Sequence, residues 1–476
     1  MVGQYAVGKQ THPAWALALT TVAFFMGALD NLVVITALPA IHKEIGGSLT
    51  TLEWTVNAYT LAVAATIITA AALGDRLGRR RVYIAGLLLF AAASAICALA
   101  PTPEILIAAR AVQGIGAGII TPLSLTMLTA AFPASRRGAI IGIWGGIGGL
   151  AIAAGPLVSG AVTQGLNWHW IFWVNVPIGL VAAALSTIRL VESYGPKTRL
   201  DVPGLALVSS SAVALIWGLV RAGDAGWDST EVIASLGIGA VLLAAFVAWE
   251  ARAPQPMLPL HLFKIRTFAA ANITAFLTMG TITSAAFLAS QYFQLGLGYS
   301  PLDTGLKFLP WTGTPFIVAP IAGLLSDRIG TRPLIVTGLA LQALGLAWIV
   351  RIATTGVGYD ALVLPFIIAG VGISMALPST PSAAMSSVAP ADMGKASGVL
   401  NTLQRFGSAF AIAVVSAVFA ANGHFGSPAS VVAGFRPAFA VAAGLSLLGA
   451  LTALAITSRR SVTMKIDQVP MELPAA

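Results

Sequence analysis

The stretch Leu73-Gly74-Asp75-Arg76-Leu77-Gly78-Arg79-Arg80-Arg81 is a short, strongly basic turn between two long apolar runs. Leu325-Ser326-Asp327-Arg328-Ile329-Gly330-Thr331-Arg332 nearly repeats it. Both copies read D-R-x-G with an arginine soon after. Each lies between segments long enough to cross a bilayer, which takes about 20 mainly apolar residues. A doubled turn in that setting predicts a membrane protein built from two related halves.

Only 9% of the 476 residues are charged and 57% are hydrophobic. A soluble domain carries about 25% charged residues, so most of this surface faces lipid. Fourteen spanning segments are predicted: 14–40, 51–73, 82–100, 104–131, 137–164, 169–190, 201–221, 230–250, 267–295, 302–325, 333–351, 360–388, 394–421 and 435–458. They are apolar all round, which excludes amphipathic surface helices. The strands of an outer-membrane barrel would alternate over about ten residues instead. The first run is too long for a signal-peptide core and is read as a retained helix. The expected fold is an all-α integral membrane protein of fourteen transmembrane helices. A six-helix half (14–190), an inserted helix pair (201–250), a second six-helix half (267–458) and a short polar tail (459–476) follow in order. The pair accounts for the extra chain between the two turns.

The net charge of +9 invites a nucleic-acid reading. The basic residues argue against it, because they sit in short loops between apolar runs. With the N-terminus inside, nineteen of the 26 lysines and arginines fall in inside segments and four in outside ones. That imbalance places both termini in the cytoplasm and requires an even number of helices. Three basic residues remain within spans. Lys307 lies near a helix end and is expected to snorkel; Arg405, about three turns in, is left open between snorkelling and a cavity.

Asp30 sits mid-helix in Met26-Gly27-Ala28-Leu29-Asp30-Asn31-Leu32. A carboxylate at bilayer depth costs at least about 2.5–3.5 kcal/mol, so it marks function by default. Its competing reading is a structural acid bonded to a neighbouring helix. Arg110 lies in the fourth span with Gln113 one turn on, on the same face. It cannot give up its proton, and a cavity-facing role is favoured over snorkelling. Helix five carries Gly142, Gly155, Pro156 and Gly160, whose small size and freed carbonyl allow close approach or a bend. The lone Cys97 forms no disulfide framework. The five histidines have no metal-ligand spacing, and no nucleophile elbow or Walker loop appears. No cofactor, metal or enzymatic activity is expected. A buried acid without an ATP site points to an ion gradient.

Several of these stretches together resemble the major facilitator superfamily, in its fourteen-helix drug:proton antiporter branch. The first turn resembles the G-x-L-x-D-R-x-G-R-R signature, with Ala71 in place of the opening glycine and Leu73, Asp75, Arg76, Gly78, Arg79 and Arg80 matching. The second copy keeps Gly323. Leu29-Asp30 to Ala37-Leu38-Pro39 resembles the first-helix motif, and Arg110, Gln113, Gly114 and Gly116 the fourth-helix motif. Gly142, Gly155, Pro156 and Gly160 resemble the antiporter motif, with Ala151 and Ser159 replacing glycines. The resemblance implies two halves rocking about a central cavity. Asp30 would exchange a proton and Arg110 would tune it. Asp75 would meet a helix end across the half-to-half interface as a latch, with Arg76, Gly78, Arg79, Arg80, Asp327 and Arg328 completing that cluster. The cavity is expected to be lined by Asp30, Trp54, Asn57, Gln113, Trp144, Asn272 and Gln291, each with plain helix packing as its competing reading. One carboxylate among aromatic faces suits lipophilic cations. The expected partners are a small lipophilic substrate, protons and the bilayer, with no nucleic acid and a monomeric state. The expected activity is multidrug export across the cytoplasmic membrane; the alternative is export of one endogenous metabolite, such as a self-made antibiotic.

Overall fold

The computed structural model describes residues 12–133, 137–195, 201–254, 256, 258, 260–389, 392–424 and 427–457. Their regular structure is helical. In order come α1 (Pro13–Ile45), α2 (Leu49–Leu77), α3 (Arg79–Ala98), α4 (Pro103–Ala130), α5 (Arg137–Gly165), α6 (Trp170–Trp173), α7 (Asn175–Arg189), α8 (Val202–Ala225) and α9 (Thr230–Glu250). Then follow α10 (Arg266–Gln291), α11 (Pro301–Lys307), α12 (Leu309–Thr312), α13 (Thr314–Ile329), α14 (Thr331–Ile352), α15 (Tyr359–Ser386), α16 (Met393–Asn422) and α17 (Pro428–Ala453). Among the described residues, twelve helical stretches are long and apolar enough to cross a membrane. A thirteenth is α2, which bends by 48° between Thr51–Ile67 and Thr69–Leu77. The predicted tail 459–476 lies outside the described residues.

Several boundaries differ from the sequence expectation, each for a local reason. The signature is hardly a loop. Helix α2 continues to Leu77, so Asp75 and Arg76 are helical, and α3 begins at Arg79. Gly78 alone makes the turn, at φ 108°, and Gly330 does the same between α13 and α14 at φ 85°. A side chain is strained at such angles. The predicted sixth helix breaks at Val174. The predicted tenth breaks at Phe308 and Gly313, which puts Pro310 and Pro315 in the first turns of α12 and α13. A missing N–H costs nothing there. Pro378 and Pro381 stay inside an unbroken α15. Helix α17 starts at Pro428, earlier than the predicted 435, because the Ser427 side chain caps the Ser430 N–H. Arg436 is therefore helical, and its Nε donates to the Val350 carbonyl at 3.2 Å.

The core is divided in an informative way. One buried cluster draws only on residues 16–190 and another only on 262–456. A third joins α1, from Leu32 to Ile41, to α10, α14, α15, α16 and α17. It lies toward the end where α1 and α5 finish, here called the far end. There the two parts also bond directly. Gln294 donates to the Thr36 carbonyl at 2.8 Å, and Gln164 accepts from the Leu302 N–H at 3.1 Å. A Cβ on Gly160 would run into the Pro301 carbonyl, and one on Gly305 would lie 2.6 Å from the Pro156 carbonyl. Gly160 thus serves close packing of α5 on α11, and Gly155 close packing of α5 on Leu32 of α1. A fourth, small cluster ties α8 to both sides through Leu61, Ile216, Ala409 and Ala413.

Candidate functional site

Asp30 and Arg110 meet. Helix α1 presents the acid at mid-length, and α4, started by the Thr102 cap, presents the arginine two turns in. An arginine and a carboxylate stranded in an apolar interior have few other ways to recover lost hydration. Arg110 Nη1 bonds Asp30 Oδ2 and also donates to Gln113 Oε1 at 2.6 Å. Arg110 Nε donates to the Thr55 carbonyl at 3.1 Å. Gln113 Nε2 donates to Asp30 Oδ1 at 2.9 Å and to Ser94 Oγ at 2.7 Å. Asn175 Nδ2 gives Asp30 Oδ1 a further bond at 3.0 Å. The guanidinium lies 4.1 Å from the Tyr59 ring centroid, a cation–π contact, while the Tyr59 hydroxyl donates to the Gly27 carbonyl at 2.9 Å. Arg110 is 0% exposed and Asp30 3%. The pair is sealed rather than cavity-facing, and Arg110 Nη2 is left buried without a partner.

Sequence reasoning found Asp30, Arg110 and Gln113. It missed Asn175, Ser94 and the Thr55 carbonyl. Asn175 had a readable signal, an amide inside the apolar run Phe172-Trp173-Val174-Asn175-Val176. It also missed Glu53, a buried acid in the second turn of α2.

The other expected cavity residues scatter. Asn57 and Gln291 are 0% exposed, and neither side chain has a hydrogen-bond partner. Asn272 bonds only back to the Phe268 carbonyl, at 2.8 Å, and its Oδ1 is unpaired. Trp144 stacks on Phe24 with centroids 3.6 Å apart. Trp54 lies 5.8 Å from Trp217 and lines an apolar pocket of about 320 Å³ with Leu61, Val213 and Phe406. A cavity of about 850 Å³ lies at the far end between Glu44, Pro101, His169 and Trp173, away from the charge cluster. Lys307 ends α11, and its Nζ sits 4.6 Å from the Tyr299 ring and 4.5 Å from the Tyr359 ring.

At the signature turn, Arg79 Nη2 holds Asp75 Oδ1 at 2.8 Å within one half. No bond from Asp75 to the other half is present among the described residues. A strap formed by residues 190–195 wraps the turn. Its Glu192 accepts the N–H groups of Arg80 and Arg81 at 2.9 and 3.2 Å, and Arg79 N–H donates to the Ser193 carbonyl at 2.9 Å. The Gly195 N–H donates to the Asp75 carbonyl at 3.1 Å, and Arg80 Nη1 reaches the Leu190 carbonyl at 3.0 Å. Arg76 and Arg328 stay exposed. The side chain of Asp327 and the surroundings of Gly142 lie outside the described residues. Among the described residues no group of histidines, cysteines and acids has the arrangement of a metal site.

The comparisons agree with this fold. A crystal structure of an auto-inhibited POT family peptide transporter superposes with a TM-score of 0.69 at 16% identity, over 93% of this chain and 96% of that one. At that identity it speaks for the fold alone. The tetracenomycin C resistance and export protein of Streptomyces glaucescens is 31% identical over 421 residues, covering 88% of this chain and 78% of the relative. The multidrug resistance protein Stp of Mycobacterium tuberculosis is 35% identical over 408 residues, or 85% and 75%. The puromycin resistance protein of Streptomyces alboniger is 32% identical over 465 residues, or 94% and 92%. The family match runs over residues 20–412 and again over 271–470. With a helical multi-span fold and relatives that export or resist antibiotics, the chain belongs to the Major Facilitator Superfamily and is a membrane transporter.

Proposed function

We propose that the protein is a proton-coupled antiporter of the fourteen-helix branch, exporting lipophilic compounds across the cytoplasmic membrane by alternating access. Two six-helix halves, 14–190 and 267–458, would rock about the inserted pair 201–250, with both termini in the cytoplasm and a monomer as the working unit. The observation that carries this reading is the sealed Asp30–Arg110–Gln113–Asn175 cluster. Its carboxylate accepts three donors as an anion. Protonating it would remove the charge that holds Arg110 Nη1 and turn one acceptor oxygen into a donor. A proton there therefore has two bonding arrangements to choose between, as a coupling site requires. The division of the core supports an inward-facing state, sealed at the far end where α5 meets α11. In that state Asp75 is parked on Arg79 and would leave it when the signature end closes.

The cationic substrates expected from a lone intramembrane acid would require Asp30 to be free of Arg110. The alternative, export of one endogenous metabolite, is favoured by relatives named for a single compound, the tetracenomycin C and puromycin proteins. Everted membrane vesicles holding wild type or Asp30→Asn test the coupling. A fluorescent probe follows internal pH while drugs are added. Several drugs should discharge the gradient with wild type and none with the variant. Equal discharge by both, at equal expression, would make Asp30 structural and end the coupling scheme.

A further inference from the structure

The charge at the middle of the molecule does not balance. Asp30 is fully engaged by Arg110, Gln113 and Asn175, so that cluster carries no net charge. Arg405 remains. It lies about three turns into α16 and is half-buried. Among the described residues no carboxylate, hydroxyl or carbonyl bonds to it.

The neighbours of α16 say where Arg405 faces. Gly407 and Ala411 pack on Phe276 and Gly280 of α10. Phe406, Ala409 and Ala413 pack with Leu61 of α2 and Ile216 of α8. Arg405 falls on the strip between these two, the strip that carries Ile412 two turns on. Ile412 belongs to the core shared with α1 and α10. Arg405 therefore faces the seam between the halves. The other buried acid of α2, Glu53, is no counter-ion. Leu61 packs level with Ala409 and Ala413, so Glu53 lies roughly 20 Å away along the helix axes.

An arginine in this position is costly unless something repays its lost hydration. Among the described residues no anion does so. We infer that Arg405 is the charge contact of the substrate site, and that the preferred cargo is a lipophilic compound bearing an acidic group (a carboxylate, phenolate or enolate) rather than a cation. This rests on the exporter reading above and reverses the charge preference expected from Asp30 alone. A unit charge within about 8 Å, at an effective dielectric constant near 20, separates anion from cation by tenfold or more.

Tetraphenylborate and tetraphenylphosphonium test this, being nearly identical in shape and opposite in permanent charge. Binding is measured by tryptophan fluorescence on purified full-length wild type, Arg405→Gln and Arg405→Lys. Wild type should bind the borate at least tenfold more tightly than the phosphonium; Arg405→Gln should erase the preference and Arg405→Lys should keep most of it. Arg405→Gln should melt no lower than wild type, since an unpaired charge has been removed. Equal or cation-favouring binding by wild type, or a preference that survives Arg405→Gln, overturns the inference. So does a lower melting temperature for Arg405→Gln together with an unchanged preference, which would mark the residue as structural. The vesicle assay keeps the two readings apart. If nothing discharges the gradient while the binding preference tracks Arg405, the anion site stands and the antiporter reading falls. If phosphonium discharges it equally with wild type and Arg405→Gln, antiport stands and the anion site falls.

Discussion

At the scale of single residues, the proposed coupling scheme makes the balance between Asp30 and Arg110 decide both folding and coupling. Removing one member of a buried ion pair costs about 3–5 kcal/mol, because the survivor is left charged and unpaired. Asp30→Asn should therefore lower the melting temperature in detergent as well as abolish antiport. Asp30→Asn with Arg110→Gln replaces the pair by neutral amides of similar bulk. The double variant should regain most of the lost melting temperature and none of the transport. A double variant no more stable than Asp30→Asn alone would mean the pair contributes nothing as a pair. The two charges were legible in the sequence because isolated charges in apolar runs must find each other. Asn175 was legible as a lone amide in an apolar run, but its bond to Asp30 and the use of the Thr55 carbonyl were not. Both depend on where α7 and α2 lie around α1, which no local pattern encodes. Arg405 was visible as a charge, but that it has no partner among the described residues emerges only from the packing of α16.

At the scale of elements, the strap 190–195 is the feature to test. Glu192 caps the first turn of α3 in place of a cap from Gly78, which has no side chain to offer. Bonds of this charge-assisted kind are worth about 1.5–3 kcal/mol. Glu192→Ala should loosen the signature turn, seen as faster amide hydrogen exchange at residues 79–82, and slow transport several-fold with expression unchanged. Protection equal to wild type would show that the strap's backbone bonds suffice. Helix existence was readable throughout, since lipid demands runs of spanning length. Helix ends and breaks were less so. All-round apolar segments show no phase change at Val174, Phe308 or Gly313. The start of α17 was missed because its signal is the Ser427-Pro428 cap, which hydropathy does not weigh.

At the scale of the whole molecule, the alternating-access proposal requires the contact of α5 with α11 to open during turnover. The chain has one cysteine, Cys97, and it is buried, so the background is silent to thiol reagents. Gln164→Cys with Leu302→Cys, bridged by a short bifunctional reagent that reduction cleaves, should stop transport, and reductant should restore it. Full activity while cross-linked would mean that this contact stays shut through the cycle. The doubled turn was legible as a motif, although the turn itself is shorter than the motif suggests. Gly78 and Gly330 each join two helices with no spare residue. Successive helical residues are about 100° apart. One residue inserted beside Gly78 would swing Tyr83, Gly86 and Phe90 off the buried face of α3. The chemistry of the signature tolerates Thr331 in the second copy where the first has Arg79. Its length tolerates nothing, so these two joints fix the phase of one helix on the next as a keyed coupling fixes two shafts.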